Sequence, residues 1–524
     1  MSADILMYIS TACILVSGLF GSVRVFQMFQ QNSYVCSRYM EWLRGQRYAG
    51  KLAVAVVFTG MVALGCFFSW IPMLVLAVGL LAISVIRSVK VQKDSIKPLV
   101  FTARVKRMYT TLCLIFAAIF ALLFVDGAKP VVPFVTVLIY FTLDFIVMFV
   151  NLINRPIERT ICQHYINDAK RKLKASPDML IIGVTGSYGK TSTKFILERL
   201  LSEKYTVTVT PESFNTPMGV VRTIREKMQP GTQIFIAEMG AKNVGDIREI
   251  CDIVEPSMGL ITSIGPQHLN TFGTLDNIIK TKFELADAVA KKGGRMFLNG
   301  DNEAIRKKSA DYQNVVLYGS KDGDCRAENI TCSSGGSSFD ICIGDTRIPV
   351  STRLLGTHNV LNITGAAAVA HSMGVSDADI RFAVSALKPT AHRLELKRLA
   401  KGATLIDDAY NSNPGGCIEA VRVLSRFEKM KKIIVTPGLV ELGEKEYECN
   451  YNLGLEAGKV CDEIYLVGHE RAKPMADALE KLGFDKGCVH VTASFKEAMA
   501  LLTPTLDQTC VVLFENDLPD NYLK

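Results

Sequence analysis

The chain has 524 residues, of which 49% are hydrophobic, and 59 Lys and Arg against 51 Asp and Glu give a formal net charge of +8. Residues 1–155 hold 14 of the basic and only 5 of the acidic residues, so the positive excess lies in an apolar N-terminal third. This pattern excludes a disordered chain, a small disulfide-bonded scaffold and a wholly soluble enzyme. No nucleic-acid partner is expected, because the remaining two-thirds carries no basic surplus.

Long uncharged segments in the N-terminal third predict five membrane-spanning helices. They cover residues 5–23, two helices within residues 52–86, residues 108–125 and residues 131–153. Basic residues are concentrated in the loops at residues 24–51 and 87–107, whereas the alternate connections carry little charge. The positive-inside rule therefore predicts a multi-pass protein of the cell membrane, with the N-terminus outside and everything after Arg155 in the cytoplasm.

Two further features of this region concern the lipid bilayer as a partner. Asp144 lies inside the fifth predicted span, where it either faces a headgroup, a substrate or a partner helix, or is a hydrogen-bonded packing residue. Residues 156–177 predict an amphipathic linker helix that could lie on anionic lipid, with a plain linker as the alternative. The membrane domain is thus predicted to cover residues 1–155.

A candidate phosphate-binding loop follows the linker. Residues 179–184 predict a short buried strand, which runs into the sequence TGSYGKT at residues 185–191 and then into a helix at residues 194–202. A strand, a glycine turn and a helix N-terminus form a phosphate cradle, because backbone N–H groups and the helix dipole face the anion. Lys190 would reach the β- and γ-phosphates, and the Thr191 hydroxyl would ligate Mg²⁺. The spacing departs from GxxxxGK[ST], since Val184 occupies its first position.

This loop resembles the ATP loop of the Mur ligases, which has the form TGxxGKT. Other segments match that family in the same order: IAEMG (236–240), TSIGPQHL (262–269), FGTL (272–275), KTKFE (280–284), LNGDN (298–302), GTHNVLN (356–362), HRLE (392–395) and IDDAYNSNP (406–414). The resemblance covers about residues 178–515, and it is greatest to the subgroup that adds D-alanyl-D-alanine to the peptidoglycan precursor. After the predicted α-helical membrane domain, it implies two α/β domains: a P-loop-type central ATPase domain at residues 178–389 and a Rossmann-like C-terminal domain at residues 390–524.

By this resemblance the protein is an ATP-dependent amide ligase with ATP and Mg²⁺ as cofactors. In the family, a substrate carboxylate takes the γ-phosphate, an amine attacks the acyl phosphate, and phosphate leaves, so cation clamps matter more than acid–base groups. The implied catalytic residues are Lys190, His268, Lys282 and Arg393, and the implied metal ligands are Thr191, Glu238, His268 and Lys282. In the family the matching lysine is carbamylated by CO₂. An unmodified Lys282, paired with phosphate or with Glu284, is the alternative.

The resemblance also implies contacts to the nucleotide and to the acceptor. The loop supplies Gly186, Ser187, Tyr188, Gly189, Lys190, Thr191 and Ser192; the adenine site supplies His358, Asn359 and Asn362; and the C-terminal domain supplies Arg393, Asp408, Tyr410, Asn411 and Asn413. Asn215 and Thr216 match positions that orient the carboxylate acceptor, while a simple turn at these residues is the alternative. Closure of the C-terminal domain, about a hinge near residues 388–389, would bring its residues to the site.

Two departures from the family leave the substrate open. Membrane segments stand where the family has a soluble domain that grips a uridine nucleotide, so the acceptor is either a muramyl peptide or a lipid-linked molecule. The segment FEND at residues 514–517 replaces a basic KGSR segment near the expected amine site, and Asn450 stands where a histidine is common. The leading hypothesis is a membrane-bound ligase of peptidoglycan precursor synthesis that joins an amino donor to this acceptor. The alternatives are a ligase for a lipid-linked or capsular acceptor, and a non-catalytic nucleotide-binding scaffold that recruits envelope-synthesis partners.

Overall fold

The computed structural model describes residues 3–44, 60, 70–95, 97–125, 131–212, 214–410 and 412–517. The chain divides into two compact units, one within Met1–Gln163 and the other at His164–Asp517. The first unit is helical. Its helices are α1 (Ala3–Gln31), α2 (Cys36–Arg44), α3 (Ile71–Asp94), α4 (Ala103–Ala121, followed by a 3₁₀ turn at Leu122–Phe124), α5 (Val132–Phe141) and α6 (Leu143–Lys174), which continues into the second unit.

Three of these helices are long and apolar enough to cross a membrane: α1, α3, and α4 together with its 3₁₀ turn. Helices α5 and α6 would form a fourth crossing as a pair, although they are bent by 90° where one straight span was predicted. The bend lies at Thr142, whose hydroxyl donates to the Leu138 carbonyl at 2.7 Å and whose own carbonyl accepts from Phe145 N at 2.9 Å. The first predicted helix of residues 52–86 lies almost wholly outside the described residues, so the count of five spans stays a prediction.

Polar side chains inside this helical unit are paired with one another. The buried Asp144 accepts a hydrogen bond from the Tyr39 hydroxyl at 2.6 Å, which is the packing role considered for this carboxylate. Arg107 holds Glu158 with two hydrogen bonds of 2.6 and 2.9 Å. Helix α6 runs through Pro156 without a break, so the predicted linker helix is the continuation of α6 instead of a separate element.

The larger unit contains a nine-stranded sheet in the order β2-β3-β1-β4-β5-β6-β7-β8-β9. Strands β2 to β7 pair in parallel, whereas β7, β8 and β9 form an antiparallel extension. The strands are β1 (Leu180–Thr185), β2 (Val207–Val209), β3 (Ile234–Glu238), β4 (Met258–Ile261), β5 (Arg295–Asn299), β6 (Val315–Gly319), β7 (Cys325–Ser333), β8 (Gly336–Ile343) and β9 (Thr346–Thr352). The helices are α7 (Lys190–Leu201), α8 (Pro217–Glu226), α9 (Asp246–Val254), α10 (Leu269–Phe272), α11 (Leu275–Ala290), α12 (Glu303–Ser309), α13 (Thr357–Ser372) and α14 (Asp377–Ser385).

Alternating side chains of β1 bury opposite faces of this sheet. Ile182 and Val184 pack in the cluster formed with α7 and α13, while Ile181 packs in the cluster formed with α8, α9 and α11. Because β1 lies between β3 and β4, the strand order reverses beside it, and the loop after β1 opens at this point. Ligands of parallel α/β sheets bind at the carboxyl ends of the strands where the order reverses.

A second sheet of six strands follows, in the order β10-β11-β15-β12-β13-β14, and only the edge strand β10 is antiparallel. Its strands are β10 (Glu395–Arg398), β11 (Thr404–Asp408), β12 (Lys431–Thr436), β13 (Glu463–Val467), β14 (Val489–Thr492) and β15 (Cys510–Glu515). Its helices are α15 (Pro414–Ser425), α16 (Glu446–Val460), α17 (His469–Lys481) and α18 (Phe495–Leu502). Separate apolar clusters cover its two faces.

Candidate active site

The loop after β1 is a tight turn that only glycine fits at two positions. Gly186 has φ +149°, and a Cβ atom there would lie 2.1 Å from the Thr262 hydroxyl oxygen. Gly189 has φ +81° and immediately precedes α7, so Lys190, Thr191 and Ser192 form the first turn of that helix. Lys190 Nζ donates to the carbonyls of Gly186 at 2.7 Å and Ser187 at 3.0 Å. Burial lowers the pKa of Lys190 to about 8, against an opposite effect of Glu238.

The segment after β4 braces this loop from the neighbouring strand. Ser187 N donates to the Ser263 carbonyl at 2.7 Å, and Tyr188 N donates to the Ser263 hydroxyl at 2.9 Å. The Tyr188 hydroxyl donates to the Pro266 carbonyl at 2.8 Å, and the Thr262 hydroxyl donates to the Tyr188 carbonyl. The backbone of the loop is therefore fixed before any anion binds.

A fully buried carboxylate, Glu238, closes one side of the loop at the end of β3. Its Oε1 accepts from the Thr191 hydroxyl at 3.1 Å and from Asn215 Nδ2 at 2.9 Å, and its Oε2 accepts from Lys194 Nζ at 3.0 Å. Lys194 was missed by the sequence reasoning, although its position one helical turn after Lys190 was a signal. Burial lowers the pKa of Lys194, whereas Glu238 opposes that shift.

The oxygens of Thr191 and Glu238 have the chemistry that Mg²⁺ requires. The described residues hold no cluster of three or more His, Cys, Asp or Glu side chains arranged for a metal. This is compatible with Mg²⁺, which binds through one or two carboxylates and completes its shell with phosphate oxygens and water. The residues present therefore fit a metal held jointly with a nucleotide.

Asn215 and Thr216, the two residues expected to orient the carboxylate acceptor, have different contacts. Asn215 contacts Glu238 through its side-chain amide, and its carbonyl accepts from Gly240 N at 2.8 Å. The Thr216 hydroxyl instead accepts from Gly219 N at 3.2 Å and caps the N-terminus of α8. Thr216 therefore forms the simple turn that was the alternative interpretation of this segment. Asn215, in contrast, lies beside Glu238 and the phosphate loop.

Lys282 is buried on α11, where the cation of Lys190 and the carboxylates of Asp246 and Glu284 all affect its charge. Burial holds its pKa well below the usual lysine value, Lys190 adds to that effect, and Asp246 and Glu284 oppose it. Within the described parts of the chain, its amine forms no hydrogen bond or ion pair. Glu284 accepts instead from the backbone N–H groups of Gly245 at 2.8 Å and Arg248 at 2.9 Å, and therefore does not pair with this lysine.

His268 follows β4 and precedes α10, with its backbone in the left-handed region at φ +52°. Its Nδ1 is hydrogen-bonded to the carboxylate of Glu441, which belongs to the segment after β12. Burial lowers the pKa of His268, against the opposite effect of Glu441. Glu441 was missed as a site residue, because nothing local in the sequence indicates that it contacts His268.

The N-terminus of α13 lies against the phosphate loop. A Cβ atom at Gly189 would lie 2.7 Å from Asn362 Oδ1, so the loop backbone lies close against the Asn362 side chain. Asn359 Nδ2 donates to the Leu355 carbonyl at 2.9 Å. Nδ1 of the neighbouring His358 is buried and has no hydrogen-bond partner among the residues that the structure describes. Burial lowers the pKa of His358, with an opposite effect of Glu419. An unsatisfied buried imidazole nitrogen beside the loop is a polar group that a bound nucleotide could satisfy.

The segment around β10 and β11 carries the remaining predicted nucleotide contacts. The Arg393 guanidinium lies over the Tyr410 ring at 4.9 Å from its centroid. Asp408 Oδ1 accepts from Leu394 N at 3.1 Å, and burial raises the pKa of Asp408 to about 6, although Arg393 lowers it. Asn413 caps α15 by accepting from Gly416 N at 2.8 Å. Asn411 lies outside the described residues.

Two residues of the FEND segment, Glu515 and Asn516, are buried, whereas Asp517 is exposed. Glu515 is fully buried, accepts a hydrogen bond from the Ser412 hydroxyl and pairs in register with Asp408 across β11 and β15. Asn516 Nδ2 donates to the Gly438 carbonyl at 2.7 Å. Asn450 likewise has a structural role, because its side chain bonds both the N–H and the carbonyl of Leu439, at 2.7 and 3.0 Å.

Comparison with known proteins agrees with this architecture. Residues 184–370 match the Mur ligase middle domain, and residues 392–515 match the Mur ligase, glutamate ligase domain. The UDP-N-acetylmuramoyl-tripeptide–D-alanyl-D-alanine ligases of Mycobacterium tuberculosis and Bacillus subtilis are 34% and 29% identical, each over 64% of this chain and over 70% and 72% of the relative. The ADP complex of MurF ligase from Thermotoga maritima superposes with a TM-score of 0.61 at 26% identity, covering 68% of this chain and 80% of that one.

The chain belongs to the Mur ligase family. It is an ATP-dependent ligase that uses ATP and Mg²⁺. Both matched regions lie within the larger unit, and the first of them begins at residue 184.

Proposed function

We propose that this protein is a membrane-bound ligase of peptidoglycan precursor synthesis, which adds D-alanyl-D-alanine to the terminal carboxylate of a muramyl tripeptide. The observation that carries the proposal is the buried Glu238, joined to Thr191 of the phosphate loop and to Asn215 on the acceptor side. One carboxylate thereby connects the nucleotide loop to the segment where the acceptor is expected. The names of the relatives supply the identity of the two substrates.

The proposed reaction has two steps. A carboxylate oxygen of the acceptor attacks the γ-phosphorus of ATP, and the bond between that phosphorus and the bridging oxygen breaks, giving an acyl phosphate and ADP. The amine of the donor then attacks the acyl carbon, loses a proton, and expels inorganic phosphate to leave an amide. Negative charge accumulates around the phosphoryl group in the first step, so fixed cations and backbone N–H groups supply most of the stabilisation.

Residues of this chain have distinct roles in that scheme. Gly186, Ser187, Tyr188 and Gly189 present backbone to the phosphates, while Lys190 and Arg393 neutralise phosphate charge. His358, Asn359 and Asn362 bind the adenine, and Asp408 with Tyr410, Asn411 and Asn413 binds the rest of the nucleotide. Thr191 and Glu238 would hold one Mg²⁺, which when bound neutralises phosphate charge. His268 and Lys282 would hold a second.

Lys282 is proposed to act as its carbamate. A neutral amine is the form that reacts with CO₂, and burial beside Lys190 favours the neutral amine of Lys282. Carbamylation would turn this amine into an anionic oxygen ligand near the cation of Lys190. Glu284 accepts from two backbone N–H groups and forms no ion pair with Lys282 among the described residues, which supports the carbamate over the unmodified lysine.

A second candidate acceptor is lipid-linked. The observation that favours it is the set of long apolar helices α1, α3 and α4 in the part of the chain that precedes the first matched region. A membrane unit in that place would bring a lipid-linked carboxylate to the bilayer surface. The chemistry at the phosphate loop would be the same for either acceptor.

Ligase assays with the purified full-length chain test these proposals. We expect ADP and an amide product only when ATP, Mg²⁺, D-alanyl-D-alanine and an acceptor are all present. Comparing the uridine-nucleotide-linked tripeptide with its lipid-linked form identifies the acceptor. Lys190→Ala and Lys282→Ala should each lower kcat by about 10²–10³, while the exposed control Lys307→Ala should leave it unchanged. Full amide formation by Lys190→Ala would refute the assignment, and a wild-type chain that binds nucleotide but forms no amide would support the scaffold instead.

A further inference from the structure

Glu441 connects the two matched regions of the ligase. It lies in the segment after β12, within residues 392–515, and its carboxylate is hydrogen-bonded to His268 Nδ1 and lies 3.4 Å from Lys242 Nζ. Both partners belong to the region of residues 184–370. The Glu441 side chain therefore joins the region of the second sheet to the region of the first sheet, through two basic side chains.

The segment that carries Glu441 is built to hold it in place. Its backbone is in the left-handed region at φ +64°, and its neighbours Leu439 and Leu442 are buried in the core of the second sheet. Asn450 bonds both backbone groups of Leu439, and Asn516 bonds the Gly438 carbonyl. A strained backbone that is held from several sides is a feature typical of functional sites.

The segments that carry Lys242 and His268, on the other side of this contact, are also held in place. The Thr271 hydroxyl donates to the Lys242 carbonyl at 2.6 Å and joins the segment of Lys242 to the helix that follows His268. With Nδ1 of His268 bound to Glu441, Nε2 is the remaining ring nitrogen, and it forms no hydrogen bond with any residue that the structure describes. An imidazole that is fixed through one nitrogen and free at the other has the arrangement of metal-ligating histidines, whose second nitrogen is held by a carboxylate.

We propose that Glu441 is a positioning residue that acts through His268: it fixes the tautomer and orientation of the imidazole so that Nε2 faces the reacting groups. Because Glu441 comes from the C-terminal region, His268 is oriented only when that region is docked against the central one. Docking and completion of the metal site are thereby coupled through one hydrogen bond. This inference rests on the proposed function, in which His268 holds the second Mg²⁺.

Binding of Mn²⁺, a paramagnetic substitute for Mg²⁺, tests the coupling independently of turnover. We would titrate Mn²⁺ into the full-length chain with a non-hydrolysable ATP analogue and follow free Mn²⁺ by electron paramagnetic resonance. Glu441→Gln should weaken the weaker of the two Mn²⁺ sites by about 10- to 100-fold. The exposed neighbour Glu444→Gln is the matched control and should bind as the wild type does. Glu441→Asp keeps the carboxylate and replaces the first variant if that one fails to fold.

A double-variant cycle separates positioning from other roles. If Glu441 acts through His268, then His268→Ala combined with Glu441→Gln should bind Mn²⁺ no more weakly than His268→Ala alone. Wild-type Mn²⁺ affinity in Glu441→Gln, or additive losses in the double variant, would overturn the inference. If His268→Ala itself leaves both Mn²⁺ sites intact, the assignment of His268 in the proposed function fails instead.

Discussion

Two carboxyl groups, Asp408 and Glu515, lie directly opposite each other on neighbouring strands of the second sheet. Burial raises the pKa of Glu515 well above the usual glutamate value, and Asp408 adds to that effect. A carboxyl group whose pKa is raised in the folded state contributes stability below its unfolded pKa, near 4.5, and loses that contribution as the pH rises toward the folded pKa. The fold therefore favours the protonated form of Glu515 over the ionised form.

Glu515→Gln should for this reason stabilise the protein more as the pH increases. Glutamine has the size of a protonated glutamate and no ionisation to suppress, so the free energy of unfolding should exceed that of the wild type by about 1–3 kcal/mol at pH 8, with a smaller gain at pH 5. Denaturant unfolding followed by circular dichroism at pH 5 to 8 measures this difference. The exposed Glu480→Gln is the control, and a gain for Glu515→Gln that does not grow with pH would contradict the prediction.

Sequence reasoning located site residues where a local motif carried them, and missed those defined by distant contacts. Gly186, Lys190 and Thr191 follow from one loop, because a strand, a glycine turn and a helix are adjacent in sequence. Glu441 is separated from His268 by more than 170 residues, so no local pattern indicates their contact. The FEND segment was read as an acidic feature of the amine site, but whether Glu515 is exposed depends on strand order, which places β15 between β11 and β12.

At the scale of elements, the phosphate loop depends on a close approach between α7 and α13. Gly189→Ala would place a Cβ atom 2.7 Å from Asn362 Oδ1 in a backbone with φ +81°. The left-handed conformation alone costs a non-glycine residue about 1–2 kcal/mol. We expect affinity for a fluorescent ATP analogue to fall by about tenfold or more, since 1.4 kcal/mol corresponds to a factor of ten.

Gly335→Ala provides the control for that substitution. Gly335 lies in the turn between β7 and β8, and its added Cβ would approach no atom more closely than 3.8 Å. The nucleotide affinity of this variant should equal that of the wild type. If Gly189→Ala also binds the analogue with wild-type affinity, the contact between the loop and α13 does not shape the nucleotide site.

The strands of the parallel sheets were predictable because their apolar runs are continuous. The strand predicted at residues 179–184 is observed as β1, Leu180–Thr185. The hairpins β7–β9 were not predicted, although residues 346–352 alternate in burial and Gly344-Asp345 marks a turn. The bend at Thr142 could not be predicted from composition, because residues 131–153 form one continuous run that is uncharged apart from Asp144.

At the scale of the whole molecule, the number of membrane crossings decides which side the ligase occupies. The described residues supply three candidate crossings and a fourth if the bent pair α5–α6 counts as one, and one more is predicted within residues 52–69. If the bent pair crosses, the total is odd and an N-terminus outside places the ligase in the cytoplasm, where ATP is available. If the bent pair does not cross, the total is even and both ends of the chain lie on the same side. A ligase that uses cytoplasmic ATP then requires the N-terminus to be inside as well.

Cysteine labelling at the first helix distinguishes these two arrangements. We expect a membrane-impermeant maleimide to label Ala3→Cys in intact cells, because the basic loops should remain in the cytoplasm and the N-terminus outside. Lys90→Cys, in the basic segment at the end of α3, and Lys307→Cys, in the ligase, should react only after permeabilisation. The unsubstituted chain, with its 14 native cysteines, sets the background. Labelling of Ala3→Cys only after permeabilisation would mean that α5 and α6 do not cross together, whereas labelling of Lys90→Cys in intact cells would contradict the orientation derived from the charges.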